Sequence, residues 1–500
     1  MKPEASATEP SIRLPATLAI GFTGHRTLHD ESKCRKSIFE FLEKQKASAP
    51  GLLYGVSSTA AGGDLLFAES CIQLGLPLCV LLPLPVVEFK KDFDDATWAR
   101  AEIVLGKAAS VEVTGSNQSR DESYYECGIE TVHQSGILLA LWNGDSSKGL
   151  GGTEDVVSFA KGIGRPVFWL HSVTGDVKVF NEKSEKELLD DPELDFLNSL
   201  PDPPVPPKGN EHEALAEAWF RKVDEHANQS APQVRRLAAI PIICTAAAAL
   251  FAGAGSWATT LGTWLAIGAG LAVVAALLPV ILRLDRRQVL WLRTRTAAEV
   301  CRSVLAFWNT PSPYDAIGPE VIPELAGALR SLNFLKVLDP ERKEASLEEF
   351  KQQYRKERVA GQIVYFFRHA AQSTAEALRY RITIWTCAGL AASMDVWMFV
   401  TEHVIKHFGP GSHKQFFALG ASIGFQIATV AGALLAVNDC DRRRQRYREL
   451  HHLLGEWDAQ LEVLRTWPSV LRVAGRIERA LLAELIEWRS LIRNQKLAKK

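Results

Sequence analysis

The sequence predicts two kinds of structure in one chain: an α/β domain built on a doubly wound, Rossmann-like parallel sheet, then an all-α membrane region with four transmembrane helices in two hairpins and a cytoplasmic helical bundle. Two observations carry this expectation. Over residues 11–175 short apolar runs alternate with amphipathic helical patterns, the rhythm of repeated βαβ units. Beyond residue 232 come two pairs of long uncharged stretches, each pair bracketed by arginines. A chain of 500 residues also exceeds what one core usually holds, so several units are expected: 11–175 as the α/β domain, 176–232 as a linker, 233–310 as the first hairpin with a following helix, 311–380 as a cytoplasmic helical insertion, and 381–500 as the second hairpin with C-terminal helices.

In the first domain, residues 17–22, 52–56, 78–82, 110–113, 136–141 and 166–170 predict strands, and 32–46, 64–74, 121–134 and 153–161 predict intervening helices. Ligands of such sheets bind beyond the carboxyl ends of the strands. Three glycine-rich turns fall there. The first holds Gly21, Thr23, Gly24, His25 and Arg26; the second runs Ser57, Ser58, Thr59, Ala60, Ala61, Gly62, Gly63, Asp64; the third joins Asn143 and Asp145 to Gly151, Gly152, Thr153 and Glu154. Glycine lets a backbone come close to a phosphate, helix N-terminal amides favour an anion, and a hydroxyl adds a donor. The same residue types also serve as ordinary turns and caps. Their convergence on one sheet edge points to a small nucleotide or NAD-derived ligand held by Gly21, Thr23, Gly24, Arg26, Ser58, Thr59, Gly62, Gly63, Asp64, Asp145, Gly151, Gly152, Thr153 and Glu154.

Residues 199–209 form a proline-rich spacer, and 211–228 an amphipathic helix leading into the membrane. No Asp, Glu, Lys, Arg or His occurs from 237 to 282, long enough to cross a bilayer twice, with a turn at 256–263 between Trp257 and Trp264. Small residues such as Gly253, Gly255, Gly268 and Gly270 allow close helix approach. The second hairpin comprises 382–401, apolar except for Asp395, and the uncharged 416–437. Arg235, Arg236, Arg283, Arg286 and Arg287 flank the first pair and Arg379, Arg381, Arg442, Arg443 and Arg444 the second, which puts both termini and the insertion in the cytoplasm and the chain in the inner membrane. Asp395 is the pore candidate: a carboxylic acid at membrane depth either faces water or a partner, or lies hydrated or protonated near the interface.

Composition excludes less than it suggests. With 57 basic and 58 acidic residues the net charge is −1, so global charge gives no support to a nucleic-acid partner. The eight cysteines show no paired ligand spacing, which argues for reduced thiols and no metal site. The first fourteen residues carry Lys2, Glu4, Glu9 and Arg13 and no signal-peptide core, which argues against export of the first domain.

The three turns, with the Leu-Trp-Asn-Gly-Asp segment at 141–145 and the Gly-Gly-Thr-Glu-Asp-Val segment at 151–156, resemble the SLOG superfamily, which unites LOG nucleotide hydrolases, DprA-like proteins and nucleotide-sensing domains. The remainder resembles the SLATT family of paired-span effector domains, through Trp291, Arg295, Glu299 and Trp308 and through Tyr354, Arg358, Gln362 and Tyr365. The spacing of the second set fits one helix face, and the residues alone fit a coiled-coil seam equally well, so a packing role is expected of them. The hydrolases of the SLOG group carry a carboxylate three residues after the threonine, where this chain has Val156, and their arginine-rich helix has no counterpart at 122–134. The resemblance therefore implies binding without turnover, with no catalytic residue assigned. Three functions follow as expectations: a nucleotide-sensing, homo-oligomeric membrane effector in bacterial defence or signalling, a membrane-tethered nucleotide hydrolase, or a non-enzymatic membrane scaffold.

Overall fold

The computed structural model describes residues 11–48, 51–114, 119–145, 150–183, 190–203, 211–255, 267–274, 277, 284–311, 321–339, 342–401 and 412–497. The expected turn at 256–263, Trp257, Trp264, Arg283 and most of the proline-rich spacer lie outside these residues. The chain divides into two compact units, one formed by Met1–Phe220 with Phe307–Glu344 and the other by Arg221–Ala306 with Ala345–Lys500.

The first unit is built on a seven-stranded sheet of order β4-β3-β2-β1-β5-β6-β7. Its strands are β1 (Thr17–Gly24), β2 (Leu52–Ser57), β3 (Leu78–Leu82), β4 (Ser110–Val113), β5 (Ile137–Trp142), β6 (Val167–His171) and β7 (Val177–Phe180). The first six pair in parallel, as expected, and β7 adds an antiparallel edge to β6. The helices between strands are α1 (Glu31–Ser48), α2 (Gly63–Gln73), α3 (Val86–Phe89), α4 (Asp95–Lys107), α5 (Arg120–Gln134) and α6 (Thr153–Gly162). Buried side chains alternate between the two sheet faces. Leu18, Ile20 and Phe22 of β1 enter one core with Phe67 of α2, whose ring stacks on Phe22 at 4.8 Å, while Ala19 of β1 joins Tyr54 and Val56 on the other face. Such two-sided burial is why these strands appear in sequence as nearly continuous apolar runs.

The unit extends past the residue 175 boundary that the sequence suggested. β7 completes the sheet, and the helix Pro192–Asn198 is tied to the chain start through Asn198, whose side chain accepts from Leu14 N at 3.0 Å and donates to Leu14 O at 2.9 Å. The helix Ala326–Leu338, expected in the helical insertion, packs on the sheet instead, with Phe334 stacked on Tyr54 at 4.2 Å. Trp308 belongs to this unit as well, its indole donating to Asp339 at 2.9 Å.

The second unit is helical. Among the described residues two helical stretches are long and apolar enough to cross a membrane, Leu347–Val400 and Phe416–Val463, coinciding with the second expected hairpin. For the first hairpin the structure describes the helix Glu211–Gly255 and helical residues 267–274, and two further spans are not established. In the second hairpin the backbones touch through glycine. A Cβ on Gly424 would lie 2.8 Å from Cys387 O and 2.9 Å from the Ala391 Cβ, so only a residue without a side chain lets the helices Ala360–Val400 and Ser412–Val437 approach this closely.

Outside the hairpin the second unit encloses a charged network. Arg358, within the π-helical stretch Tyr354–Val359, grips Glu478 in a bidentate pair at 2.9 and 2.7 Å, and Tyr354 donates to the same carboxylate at 2.7 Å. Glu299 lies 3.6 Å from Arg358 and accepts from Arg295 and Arg302 at 2.6 and 2.7 Å, and both arginines reach Asp224. Burial pushes Glu299 up, but Arg302, Arg358 and Arg295 outweigh it and hold its carboxyl below the ordinary range. Tyr354 and Arg358 of the expected helix-face motif thus join a buried ion network, whereas Tyr365 is exposed, its ring tilted against that of His369.

Candidate functional site

β1 has β2 on one side and β5 on the other, so successive connections leave it in opposite directions. That reversal opens a crevice at the carboxyl ends of β1 and β5, where open α/β sheets place ligands. A cleft of about 450 Å³ lies there, lined by the ends of β1 and β5, the turn after β2, the beginnings of α2 and α6, and one face along α5 from Tyr124 to Thr131. Of the expected residues, Thr23, Gly24, Arg26, Ser58, Asp64, Asp145, Gly151, Gly152, Thr153 and Glu154 line it. Gly21, Thr59, Gly62 and Gly63 do not, and their roles are architectural. A Cβ on Gly21 would strike Ser135 at the end of α5 at 2.6 Å. Thr59 is fully buried at φ 56, and Gly62 adopts φ 93 with space for a Cβ closed by the backbone oxygens of Arg26 and His25. Only glycine fits such a left-handed position pressed against another backbone.

Several amides of the glycine-rich turns are engaged within the protein. In the second, Gly63 N donates to His25 O at 2.9 Å, Leu65 N to Ala60 O at 3.0 Å, and Ala60 N to Ser58 Oγ at 3.3 Å. In the third, Gly151 N and Gly152 N both donate to Asp155 Oδ2, at 3.0 and 3.2 Å. Asp155 thus supplies the anion that α6 requires at its N-terminus. Gly24 is held in the β1–β5 ladder, and His25 N continues it to Leu141 O.

The side chains set the polarity of the cleft. At its base Asp64, 7% exposed, accepts from Ser58 Oγ at 2.9 Å and from Ser57 Oγ at 3.4 Å, both on Oδ1. Burial pushes its carboxyl up to about 6, against the lowering influence of Ser58, Arg26 and Ser57. Arg26 stands exposed at the rim, its guanidinium 4.2 Å over the Tyr124 ring. Tyr124 donates to Asp92 at 2.5 Å, and Arg120 pairs with the same carboxylate at 2.8 Å. Burial raises Asp92, but the Arg120 and Tyr124 hydrogen bonds prevail and hold it below the usual range. On the other wall His25 Nε2 lies 2.8 Å from Asn143 Oδ1, and the Asn143 amide nitrogen donates to Asp145 at 2.6 Å.

Among the polar lining residues, Thr27, Tyr124 and Thr131 lie outside the residues singled out from the sequence, and His25 and Asn143, named within the turns, were not counted as ligand-binding. Tyr124 carried a weak signal, since it lies four residues after Arg120 and so on the same helix face. Cys127 lines the cleft, but burial pushes its thiol up to about 12 and Sγ donates to Leu81 O at 3.1 Å, which disfavours a thiolate nucleophile. Val156, where a hydrolase-type carboxylate was sought, is 2% exposed and shares the α6 core cluster with Val132 and Ala160. Its Cγ2 would lie 2.5 Å from a Cβ on Gly128 of α5. Among the described residues no cluster of three or more His, Cys, Asp or Glu is arranged to hold a metal ion. Asp395 lies far along the sequence from these residues, exposed on the helix Ala360–Val400. No protein-family model matches the chain, and no curated protein matches it.

Proposed function

We propose that the protein is a ligand-operated membrane effector: a small nucleotide or NAD-derived ligand occupies the cleft at the β1/β5 reversal, and the apolar helices respond by opening a pore or disrupting the bilayer. The observation that carries this reading is the presence, in one chain, of that cleft and of helical stretches whose apolar side chains, such as Trp385, Leu390, Phe399 and Phe416, are exposed. The resemblance to SLOG and SLATT domains supports it and suggests a bacterial defence or signalling setting. Binding without turnover is favoured because Val156 serves the core and Cys127 is held as a thiol.

Conduction through this chain would take several copies, since close contact at Gly424 fills the space between the two helices of the second hairpin. We therefore propose a homo-oligomer in the inner membrane with both termini cytoplasmic and Asp395 on the conducting path. The signal would pass along the sequence through the proline-rich spacer and the helix Glu211–Gly255. Ligand must bind the open state more tightly than the closed one, since equal affinity shifts nothing. Dye leakage from liposomes holding the purified chain, with and without ADP-ribose and a nucleotide panel, tests the proposal. Ligand-dependent leakage is expected, and replacing residues 203–207 by a longer Gly/Ser segment is expected to abolish it while leaving affinity intact. Absence of leakage under every ligand removes the pore reading.

A further inference from the structure

Resting on the nucleotide reading, we infer that the cleft holds its ligand with a neutral, hydroxyl- or amine-bearing part at its base on Asp64 and the phosphate at its mouth on Arg26. This orientation departs from the usual arrangement of such folds, in which backbone amides at the glycine-rich turn cradle the phosphate. Four amides of these turns already have acceptors within the protein: His25 O for Gly63, Ala60 O for Leu65, and the Asp155 carboxylate for Gly151 and Gly152. A phosphate placed at α6 would meet Asp155 where it needs donors.

The side chains argue the same way. Asp64, Asp145 and Glu154 line the cleft, and among its described lining residues Arg26 is the sole arginine or lysine. Asp64 is buried, and both serine donors engage Oδ1, so Oδ2 has no side-chain donor among the described residues. A buried carboxylate oxygen of this kind accepts from a sugar hydroxyl or an exocyclic amine and repels a phosphate. Arg26 is exposed, so a phosphate reaching it stays near solvent, whereas Asp64 is buried. Its guanidinium lies over the Tyr124 ring, and Tyr124 is itself fixed by Asp92 and Arg120. Tyr124 is thus a positioning residue for the phosphate contact.

The test is calorimetry on the full chain in detergent with adenosine, ADP-ribose and inorganic pyrophosphate. The unaltered protein is expected to bind ADP-ribose more tightly than adenosine, and pyrophosphate weakly. Arg26→Ala should bring ADP-ribose down to the affinity of adenosine and leave adenosine unchanged. Asp64→Asn should weaken both nucleosides by about tenfold, the scale of one hydrogen bond to a charged group, and leave pyrophosphate unchanged. If Asp64→Asn instead tightens ADP-ribose, the phosphate lies at the base and the inference is overturned. Binding of ADP-ribose unaffected by either substitution also overturns it while leaving the nucleotide reading intact. Failure of the unaltered protein to bind any of the three removes both.

Discussion

Replacing Asp64 by asparagine should stabilise the α/β unit at neutral pH, although it removes a charged residue from the candidate site. The carboxyl is buried, and its pKa rises from 3.8 to about 6 because burial disfavours the ionised form more than Ser58, Arg26 and Ser57 favour it. The folded state therefore holds this proton more tightly than the unfolded chain does. Stability contributed by the group is fully present below pH 3.8, falls as pH rises, and is lost once pH passes about 6. A shift of roughly two units at about 1.4 kcal/mol each amounts to about 3 kcal/mol. Asparagine keeps an oxygen where Ser58 donates and never ionises, and the charge-assisted part of that hydrogen bond is already contained in the net shift. The expected gain is about 3 kcal/mol at about pH 7.5, vanishing near pH 4. Hydrogen exchange of the β1 and β2 amides in the full chain, compared between the two proteins at both pH values, measures it. Equal protection at about pH 7.5, or a difference that does not shrink on acidification, would refute the claim that ionised Asp64 is held at an energetic cost.

Three further outcomes follow from the geometry. Tyr124→Leu should weaken ADP-ribose binding about threefold, because the ring beneath Arg26 contributes roughly 0.5–1 kcal/mol, whereas Tyr124→Phe keeps that ring and should lose less; calorimetry on both variants separates ring from hydroxyl. Glu478→Gln leaves Arg358 without its bidentate partner and should cost about 3–5 kcal/mol in the helical unit, while the pair Arg358→Met with Glu478→Leu should recover much of that loss in thermal unfolding. Gly424→Ala should lower the thermal stability of the detergent-solubilised chain more than Gly420→Ala, since a Cβ at 424 meets the Cys387 carbonyl and one at 420 meets only the Met394 side-chain end; a reversed order would contradict the described helix contact.

What the sequence determined by itself was local. Strand periods placed β3 and β4 at their observed bounds and the other parallel strands within two residues; two-sided burial imprints apolar runs on central strands such as β1, β2, β3 and β5, whereas β4 is an edge strand with no buried residue. The uncharged residues 382–401 and 416–437 marked the second hairpin for the same kind of reason: a long helix without charge has few places to go. β7 escaped because Val177–Phe180 is a short edge strand carrying a lysine and two exposed positions, a pattern indistinguishable from a linker until β6 lies beside it. Ala326–Leu338 escaped because its apolar face predicts burial without saying against what; Phe334 finding Tyr54 is a contact across most of the chain. At the site, Gly62 and Gly151 announced turns and lie in turns at positive φ, while Gly63 opens α2 and Gly152 caps α6. Whether their amides face a ligand depends on which acceptor is nearer in space, and tertiary structure supplied Asp155 and the backbone of His25. The polarity of the cleft was likewise decided by folding, since burial makes Asp64 a deep acceptor while the Tyr124 ring holds Arg26 at the surface.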